Sequence, residues 1–564
     1  MSEKEQKKRI LNYRPMCLTA LALMGGILLG EGLYGVSVYF RFIPLAVLIA
    51  VFITLLCLKK VRRFVYIAIF VAIGFLGICA SNDVYERNTF EGEFAGVFTA
   101  RVASEISEIN DRYYFDIEDI YLGDQKLKYK GYVYYGDTAA PMDYNAGDIV
   151  KLYGKIRSVV HERFDSFHAN DVANNYGYIG YVVYVEKLAE DDLHPLERLP
   201  HIIKSNFYES MDEDSAAICS ALVLGDKGGL DEELKDNISA SGLAHVLAVS
   251  GLHIATISAA LFYVFRKMKL NPKVSVIVVF FLMLFYCFLC DFTASSLRAL
   301  IMMTVLNFAV AFGRKRDSLS TISFAACAIL IFRPTALMEA GFLMSFAAVL
   351  GITLFYSRFY HAGMKVVEKV SPKRHFGKYG AKAIALSLSA NLTAFPFIAF
   401  FFKKVTLLFI VSNIVVLPYL MFIYVFLLII SVFALITTWA GPLVIFKYLL
   451  VPFKGYVTIF GGMRFFSIPV TLTVSAVVGI LVILFVLSRF VFLKRLTKVF
   501  LYAAVSAVTI VASFIELYVD AKSSAREETP KELSVVLEKS DFAPLSTAEN
   551  DLDFYDIIGS HAIE

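Results

Sequence analysis

Residues 242–253, Gly242-Leu243-Ala244-His245-Val246-Leu247-Ala248-Val249-Ser250-Gly251-Leu252-His253, put two histidines, a serine and a chain-breaking glycine at the mouth of a long apolar segment. An unpartnered polar group is costly in hydrocarbon, so membrane helices keep such groups where they line a wet cavity or meet a partner. The polarity therefore marks either a pathway or a helix start packed with small residues. The surrounding chain is consistent with a bilayer. Of 564 residues 58% are hydrophobic, 50 are Phe, and the mean hydropathy is +0.64. A soluble protein of this length is less apolar, which points to a polytopic α-helical membrane protein.

Charge sets the expected topology. The net charge of +4 hides an asymmetry, with Lys and Arg gathered in short loops and acidic residues in the polar segments. By the positive-inside rule, Lys4, Lys7, Lys8, Arg9 and Arg14 place the N-terminus in the cytoplasm. Apolar segments at 16–33, 43–58 and 64–81 follow, with Lys59, Lys60, Arg62 and Arg63 inside; the first reads as a span, not a cleaved signal. The chain then stays outside from about Asn82 to Val246. Later basic clusters at Arg266–Lys273, Arg314–Arg316, Lys365–Lys378 and Arg489–Lys498 fall inside. The stretch 405–438 is too long for one simple crossing and contains Pro418, so a helical hairpin or a re-entrant pair is expected.

Four regions result: N-terminal spans over 1–84, a β domain over 85–190, the main helical domain over 191–520, and an acidic tail over 521–564. The tail's carboxylates outnumber its lysines and arginines, which reads as disordered chain outside the membrane. In the β domain, strands are expected at 95–108, 112–122, 126–136, 147–158 and 177–187, suggesting a small inserted extracellular β-barrel of the OB-like kind. Alternation over the third strand puts Lys126, Lys128, Lys130, Tyr132 and Tyr134 on one face and Leu127, Tyr129, Val133 and Tyr135 on the other. Ammonium groups beside rings suit the phosphates and bases of a single strand. Nearby Glu105, Glu108, Asp111, Asp116, Glu118 and Asp119 oppose that use, and a solvated edge strand has the same pattern.

Within the main domain, Asp291, Thr293, Ser295, Ser296 and Arg298 bracket the junction of two spans. Asp291 and Arg298 could pair with each other or meet a passing phosphate. Glu339 to Phe346, Asn391 with Thr393 and Pro396, and Ser412 with Asn413 and Pro418 stud later helices with breaks and polar groups. In a bilayer these mark a permeation path or packing kinks. The seven cysteines avoid the β domain, arguing against a disulfide framework there, and Cys287-x-x-Cys290 reads as a helical pair before a redox site. No Walker loop, H-E-x-x-H or clustered metal ligands occur among the nine histidines, so no metal, cofactor or ATPase is expected. Ser250 and His253 could serve a membrane hydrolase, but no nucleophile elbow or orienting acid accompanies them.

Together with Leu222-Val223-Leu224-Gly225-Asp226, the 242–253 stretch closely resembles the signature of the ComEC family of competence DNA channels. Ser296-Leu297-Arg298-Ala299, Gly341-Phe342-Leu343-Met344-Ser345-Phe346 and Ser412-Asn413-Ile414-Val415-Val416-Leu417-Pro418 extend the resemblance. It implies an inner-membrane channel passing single-stranded DNA into the cytoplasm in natural transformation. A DNA receptor or pseudopilus would deliver duplex from outside, a separate nuclease would degrade the other strand, and a cytoplasmic ATP-driven motor would draw the strand inward. The metallo-β-lactamase-like domain of longer members is not evident, suggesting a short form. A polyanion needs a hydrated path lined by donors or positive helix ends. His245, Ser250, Gly251, His253, Asp291, Arg298, Ser345, Asn391 and Asn413 are the expected path or gating residues, with no catalytic residue among them. A hydrolase using Ser250 and His253, and a non-conducting scaffold, are the alternatives.

Overall fold

The computed structural model describes residues 15–32, 65–87, 93–103, 107–109, 112–123, 125–135, 147–158, 176–189, 196, 198–488 except 248, 314–316, 371–374 and 464–465, and 502–513 except 503. The expected span at 43–58, the basic clusters at the N-terminus, 59–63, 314–316 and 489–498, and the acidic tail lie outside the described residues.

Two helices, α1 (Pro15–Gly32) and α2 (Val65–Arg87), open the chain and pack closely. A Cβ on Gly26 would lie 2.0 Å from the Val71 carbonyl oxygen, so the small residue is what lets the backbones meet. The sheet region follows: β1 (Glu93–Val102), β2 (Ser107–Ile109), β3 (Arg112–Leu122), β4 (Gln125–Lys126), β5 (Lys130–Tyr135), β6 (Ile149–Ser158) and β7 (Tyr176–Ala189). The pairing runs β1-β6-β7-β5-β3-β2, antiparallel except for the parallel β5–β7 pair, and β3 also pairs with β1 through Thr99↔Tyr121, Arg101↔Glu118 and Val102↔Ile117. Phe98, Phe115, Ile117, Val133, Leu152, Ile156 and Tyr178 fill the buried face.

The expected third strand differs. It is split into β4 and β5, because residues 127–129 leave the ladder, so Lys126 and Lys128 do not share one strand face with Lys130. Tyr132 is buried rather than presented, held among Ile179, Tyr114 and Tyr134.

The helical domain begins with α3 (Arg198–Ser210), α4 (Glu213–Val223) and α5 (Glu232–Ala240), then a 3₁₀ turn at Ala244–Val246. Asp212 caps α4 by accepting from the Ser215 N–H at 3.3 Å, and Glu213 and Asp214 complement the positive end of its dipole. Next come α6 (Gly251–Lys267), α7 (Pro272–Leu289), α8 (Ala294–Ala311) and α9 (Ser318–Phe332), a 3₁₀ turn at Pro334–Met338, then α10 (Ala340–Val370) and α11 (His375–Phe402). The helix α12 (Phe409–Thr437) precedes α13 (Gly441–Gly461) and α14 (Val474–Leu487), and α15 (Ala504–Ser513) is the last described helix. Among the described residues, α7, α10, α11, α12 and α13 are long and apolar enough to cross a membrane.

Two sequence expectations about breaks are corrected. The stretch 405–438 is neither a hairpin nor a re-entrant pair but the short strand β8 (Lys404–Thr406) followed by one helix. A π-helical turn at Ser412–Val416 lies just before Pro418, a place where the helix tolerates the proline's missing donor. Likewise Pro396 lies inside α11 without interrupting it.

Candidate functional site

The quoted motifs meet at one end of the bundle. Gly225 and Gly242, with φ of +80° and +83°, turn the chain where a side chain would be strained. At Gly242 a Cβ would lie 2.9 Å from the Phe409 backbone, so this glycine lets the signature loop press against the start of α12. The loop is fastened there by Thr406 Oγ1 donating to the Ala240 carbonyl at 2.7 Å and Ser412 Oγ donating to that of Ser241.

Ser250 is the N-cap of α6. Its Oγ accepts from the Leu252 N–H at 3.3 Å, and its own N–H donates to His253 Nδ1 at 3.1 Å, forming a capping box. Ser250 Oγ also lies 2.9 Å from Nδ1. A Nδ1 that accepts a backbone N–H leaves the proton of a neutral imidazole on Nε2. Among the described residues that atom is buried without a hydrogen-bond partner, and the ring meets Tyr424 edge-on at 4.6 Å. Tyr424 Oη donates to Tyr286 Oη at 2.8 Å, and Tyr286 Oη donates to the Val223 carbonyl at 2.7 Å. This chain ties α6, α12 and α7 to the end of α4.

Beside it lies a buried charge cluster. Arg298 on α8 and Glu339 before α10 are 4% and 3% exposed, with Arg298 Nη1 at 3.5 Å from Glu339 Oε2. Arg333, at the end of α9, reaches the other carboxylate oxygen at 2.9 Å. Gly341 leaves room for the Arg298 guanidinium, since a Cβ there would lie 3.1 Å from Nη2. Gly251 sits against Ala299, the neighbour of Arg298, at an ordinary contact distance of 3.8 Å for an added Cβ.

The expected Asp291–Arg298 pairing is corrected. Asp291 is 92% exposed on its side chain and faces Lys130 of the β domain at 3.9 Å, while Arg298 points inward to Glu339. A left-handed pair at Asp291 and Phe292 (φ +50° and +44°) turns the chain between α7 and α8 and separates the two residues. His245 is exposed in its 3₁₀ turn, whereas His253 is buried. Ser345 is half-buried on α10. Asn391 donates to the Ser387 carbonyl at 3.0 Å and Asn413 to Ser387 Oγ at 2.9 Å, so these two share one partner on α11. The structure thus joins Ser250, Gly251 and His253 with Arg298 in one region and Asn391 with Asn413 in another.

On the β domain, Lys126 pairs with Asp119 at 2.6 Å and Lys130 with Glu118 at 3.5 Å. The Lys126 hydrogen bond is the main reason the Asp119 carboxyl titrates below its usual range. An open pocket of about 520 Å³ is lined by Glu118, Asp119 and residues 126–130, and carries both signs of charge. Among the described residues no His, Cys, Asp and Glu group is arranged to hold a metal ion.

Sequence reasoning counted Arg333 and Glu339 among the polar groups that mark a path or kinks but paired neither of them. The available signal was a lone carboxylate in an apolar context, Leu337-Met338-Glu339-Ala340, which is costly in a membrane unless paired. Its partner Arg298 is too distant in sequence for spacing to reveal it.

A family model for competence proteins matches residues 222–489. The ComE operon protein 3 of Bacillus subtilis (strain 168) is 29% identical over 210 residues, 37% of this chain and 25% of that protein. Over this region the chain is similar to the ComEC family of competence proteins. Its aligned part spans a quarter of the length of that curated relative, and no solved structure matches. The matched region contains all nine expected path residues and the Arg298–Glu339–Arg333 cluster, whereas the β domain lies outside it. The chain's long apolar helices are those of a multi-pass membrane protein.

Proposed function

We propose that this chain takes part in competence DNA uptake as the inner-membrane conduit that passes one DNA strand into the cytoplasm, without covalent chemistry of its own. The observation that carries the reading is Arg298, a guanidinium buried inside the competence domain and set beside the signature loop. Charged groups at such depth are expensive and line ion pathways, and a polyanion calls for positive ones. Asn391, Asn413 and Ser345 supply neutral polar groups along later helices.

The basic loops orient this conduit with its N-terminus in the cytoplasm and the β domain and acidic tail outside. There the β domain would meet incoming DNA as an OB-type fold. Support comes from the circuit of pairings through β1, β6, β7, β5 and β3, with its parallel β5–β7 step. Tyr134 stacks on Tyr181 at 5.8 Å, and Tyr181 is partly exposed beside Arg157, a combination suited to bases and phosphates. Lys128, with Lys126 and Lys130, borders the adjacent pocket. The partners in this scheme are an outer DNA receptor or pseudopilus, a separate nuclease and a cytoplasmic motor.

The 2.9 Å contact between Ser250 Oγ and His253 Nδ1 is what a hydrolase reading would use. Its Nδ1, however, accepts the Ser250 backbone N–H, and among the described residues no carboxylate bonds Nε2.

The test is uptake of labelled DNA into the nuclease-protected interior, with surface-bound DNA counted separately. Cells would carry the intact chain, its in-frame deletion, or Arg298→Gln. The conduit reading expects deletion to spare surface binding and abolish protected DNA, and Arg298→Gln to lower protected DNA at normal protein abundance. Unchanged internal DNA in the deletion strain overturns it, and a scaffold expects Arg298→Gln to be silent.

A further inference from the structure

The charge cluster holds two guanidiniums and one carboxylate, and its hydrogen bonding is incomplete: among the described residues Arg298 Nε and Glu339 Oε1 are both buried without a hydrogen-bond partner, although Arg333 pairs with that oxygen by charge. A guanidinium has five N–H donors. Among the described residues Arg298 spends its hydrogen bond on Glu339 at a long 3.5 Å, and its buried Nε has no partner. Arg333 approaches the opposite oxygen of the same carboxylate and is itself partly exposed. Gly341 lets its backbone pack directly against the Arg298 guanidinium, where an added Cβ would lie 3.1 Å from Nη2. A structural ion pair buried this deeply would normally satisfy its remaining donors, because each unmet one carries a desolvation cost. Donors converging on a single shared carboxylate, with spare N–H groups, form instead the kind of fork that recognises a phosphodiester.

We propose that Arg298 and Arg333 form a phosphodiester-binding pair and that Glu339 is its built-in competing anion, occupying the pair until a phosphate of the passing strand displaces it. This rests on the conduit reading for the identity of the strand. It adds a positioning and gating role for Glu339 that the channel reading alone does not contain. The carboxylate serves two ends. It lets two cations remain at the head of an apolar bundle when no DNA is present, and it sets a threshold that a single stray anion does not cross. Because the competitor is tethered, the apparent affinity for phosphate is reduced by the fraction of time the pair is occupied.

The experiment uses the full chain purified in a phosphate-free maltoside detergent and a short fluorescent oligothymidylate as probe. Glu339→Gln keeps the side-chain shape and removes the competing charge. It should tighten oligothymidylate binding by about tenfold if the carboxylate holds the pair about nine-tenths of the time. Arg298→Gln should weaken binding, and Glu339→Gln combined with Arg298→Gln should show no gain. The gain should also vanish for an oligonucleotide with an uncharged methylphosphonate backbone. If Glu339→Gln does not fold, Glu339→Asp, which keeps the charge but shortens the reach, should give a smaller gain in the same direction. Phosphodiesters also occur in lipid headgroups, so the titration is repeated in mixed micelles containing phosphatidylglycerol. Competition by lipid that leaves an oligothymidylate gain supports the strand as occupant, whereas a gain seen for lipid alone overturns it.

Binding no tighter in either Glu339 variant, or a gain that survives Arg298→Gln, overturns the counter-ion role. The uptake assay separates the two failures. Loss of protected DNA on deletion, with no gain from Glu339→Gln, leaves the conduit standing and removes the gate. A gain from Glu339→Gln, with uptake unchanged on deletion, keeps the anion site and removes the conduit.

Discussion

Ser250 and His253, the pair a hydrolase reading would use, perform local structural work at the start of a helix. The serine satisfies an N–H at the start of α6, and the histidine returns the favour to the serine's own backbone. The ring is thereby locked against Tyr424, which in turn holds Tyr286 and the end of α4. Replacing the serine removes a cap, an effect of about 1 kcal/mol in typical helices. Ser250→Ala is therefore expected to lower the melting temperature of the detergent-solubilised protein modestly while leaving DNA uptake largely intact. Uptake abolished at an unchanged melting temperature would instead favour nucleophilic use of the hydroxyl.

At the scale of elements, α10 packs tightly along α11, and the seam is built on a small residue. A Cβ on Gly351 would lie 2.0 Å from Thr393 Oγ1 and 2.1 Å from the Ser389 carbonyl oxygen, and Thr393 donates to the Ala347 carbonyl across the same seam at 2.7 Å. Gly351→Ala should push the helices apart and destabilise the protein by about 1–3 kcal/mol, the usual range for overpacking. Gly380→Ala on α11 is the control. Nothing lies within 4 Å of its added Cβ, so only helix propensity acts, stabilising by up to about 1 kcal/mol. Thermal melts of the two variants should move in opposite directions. Elements of this kind were partly legible. Apolar runs located α1 and α2, because length and hydropathy are local properties. Continuity was harder to read, since Pro396 and Pro418 signal breaks locally but sit in helices whose neighbours or π-helical geometry accommodate the missing donor. The charge cluster was legible only at Arg298, because its pairing with Glu339 depends on how α8 meets the turn before α10.

Across the whole molecule, a late segment is fastened to an early one by charge. Lys454 on α13 donates to Asp212, the cap of α4, and also approaches Asp214 at 3.7 Å, while Lys447 lies 3.9 Å from Asp212. This tie joins segments 242 residues apart and holds α13 against α3 and α4. Burial alone would push the Asp212 carboxyl up, but the hydrogen bonds from Lys454 and Ser215 and the Lys454 charge outweigh it and hold the group at about 2, below its ordinary 3.8. A carboxyl whose value is lower in the folded state binds fewer protons there than in the unfolded chain. Its contribution to stability is thus fully present above pH about 4 and lost as the pH falls through 2. The partial exposure of both side chains keeps the effect modest. Melting curves of wild type and Asp212→Asn, recorded in detergent from pH 6 downward, should differ by a constant amount to about pH 4 and converge towards pH 2. Lys454→Gln should remove only part of the same increment, since the hydrogen bonds from Ser215 still depress the carboxyl. A wild-type advantage that persists at pH 2 would assign the stabilisation to packing at the α4 cap, independent of the charge on Asp212.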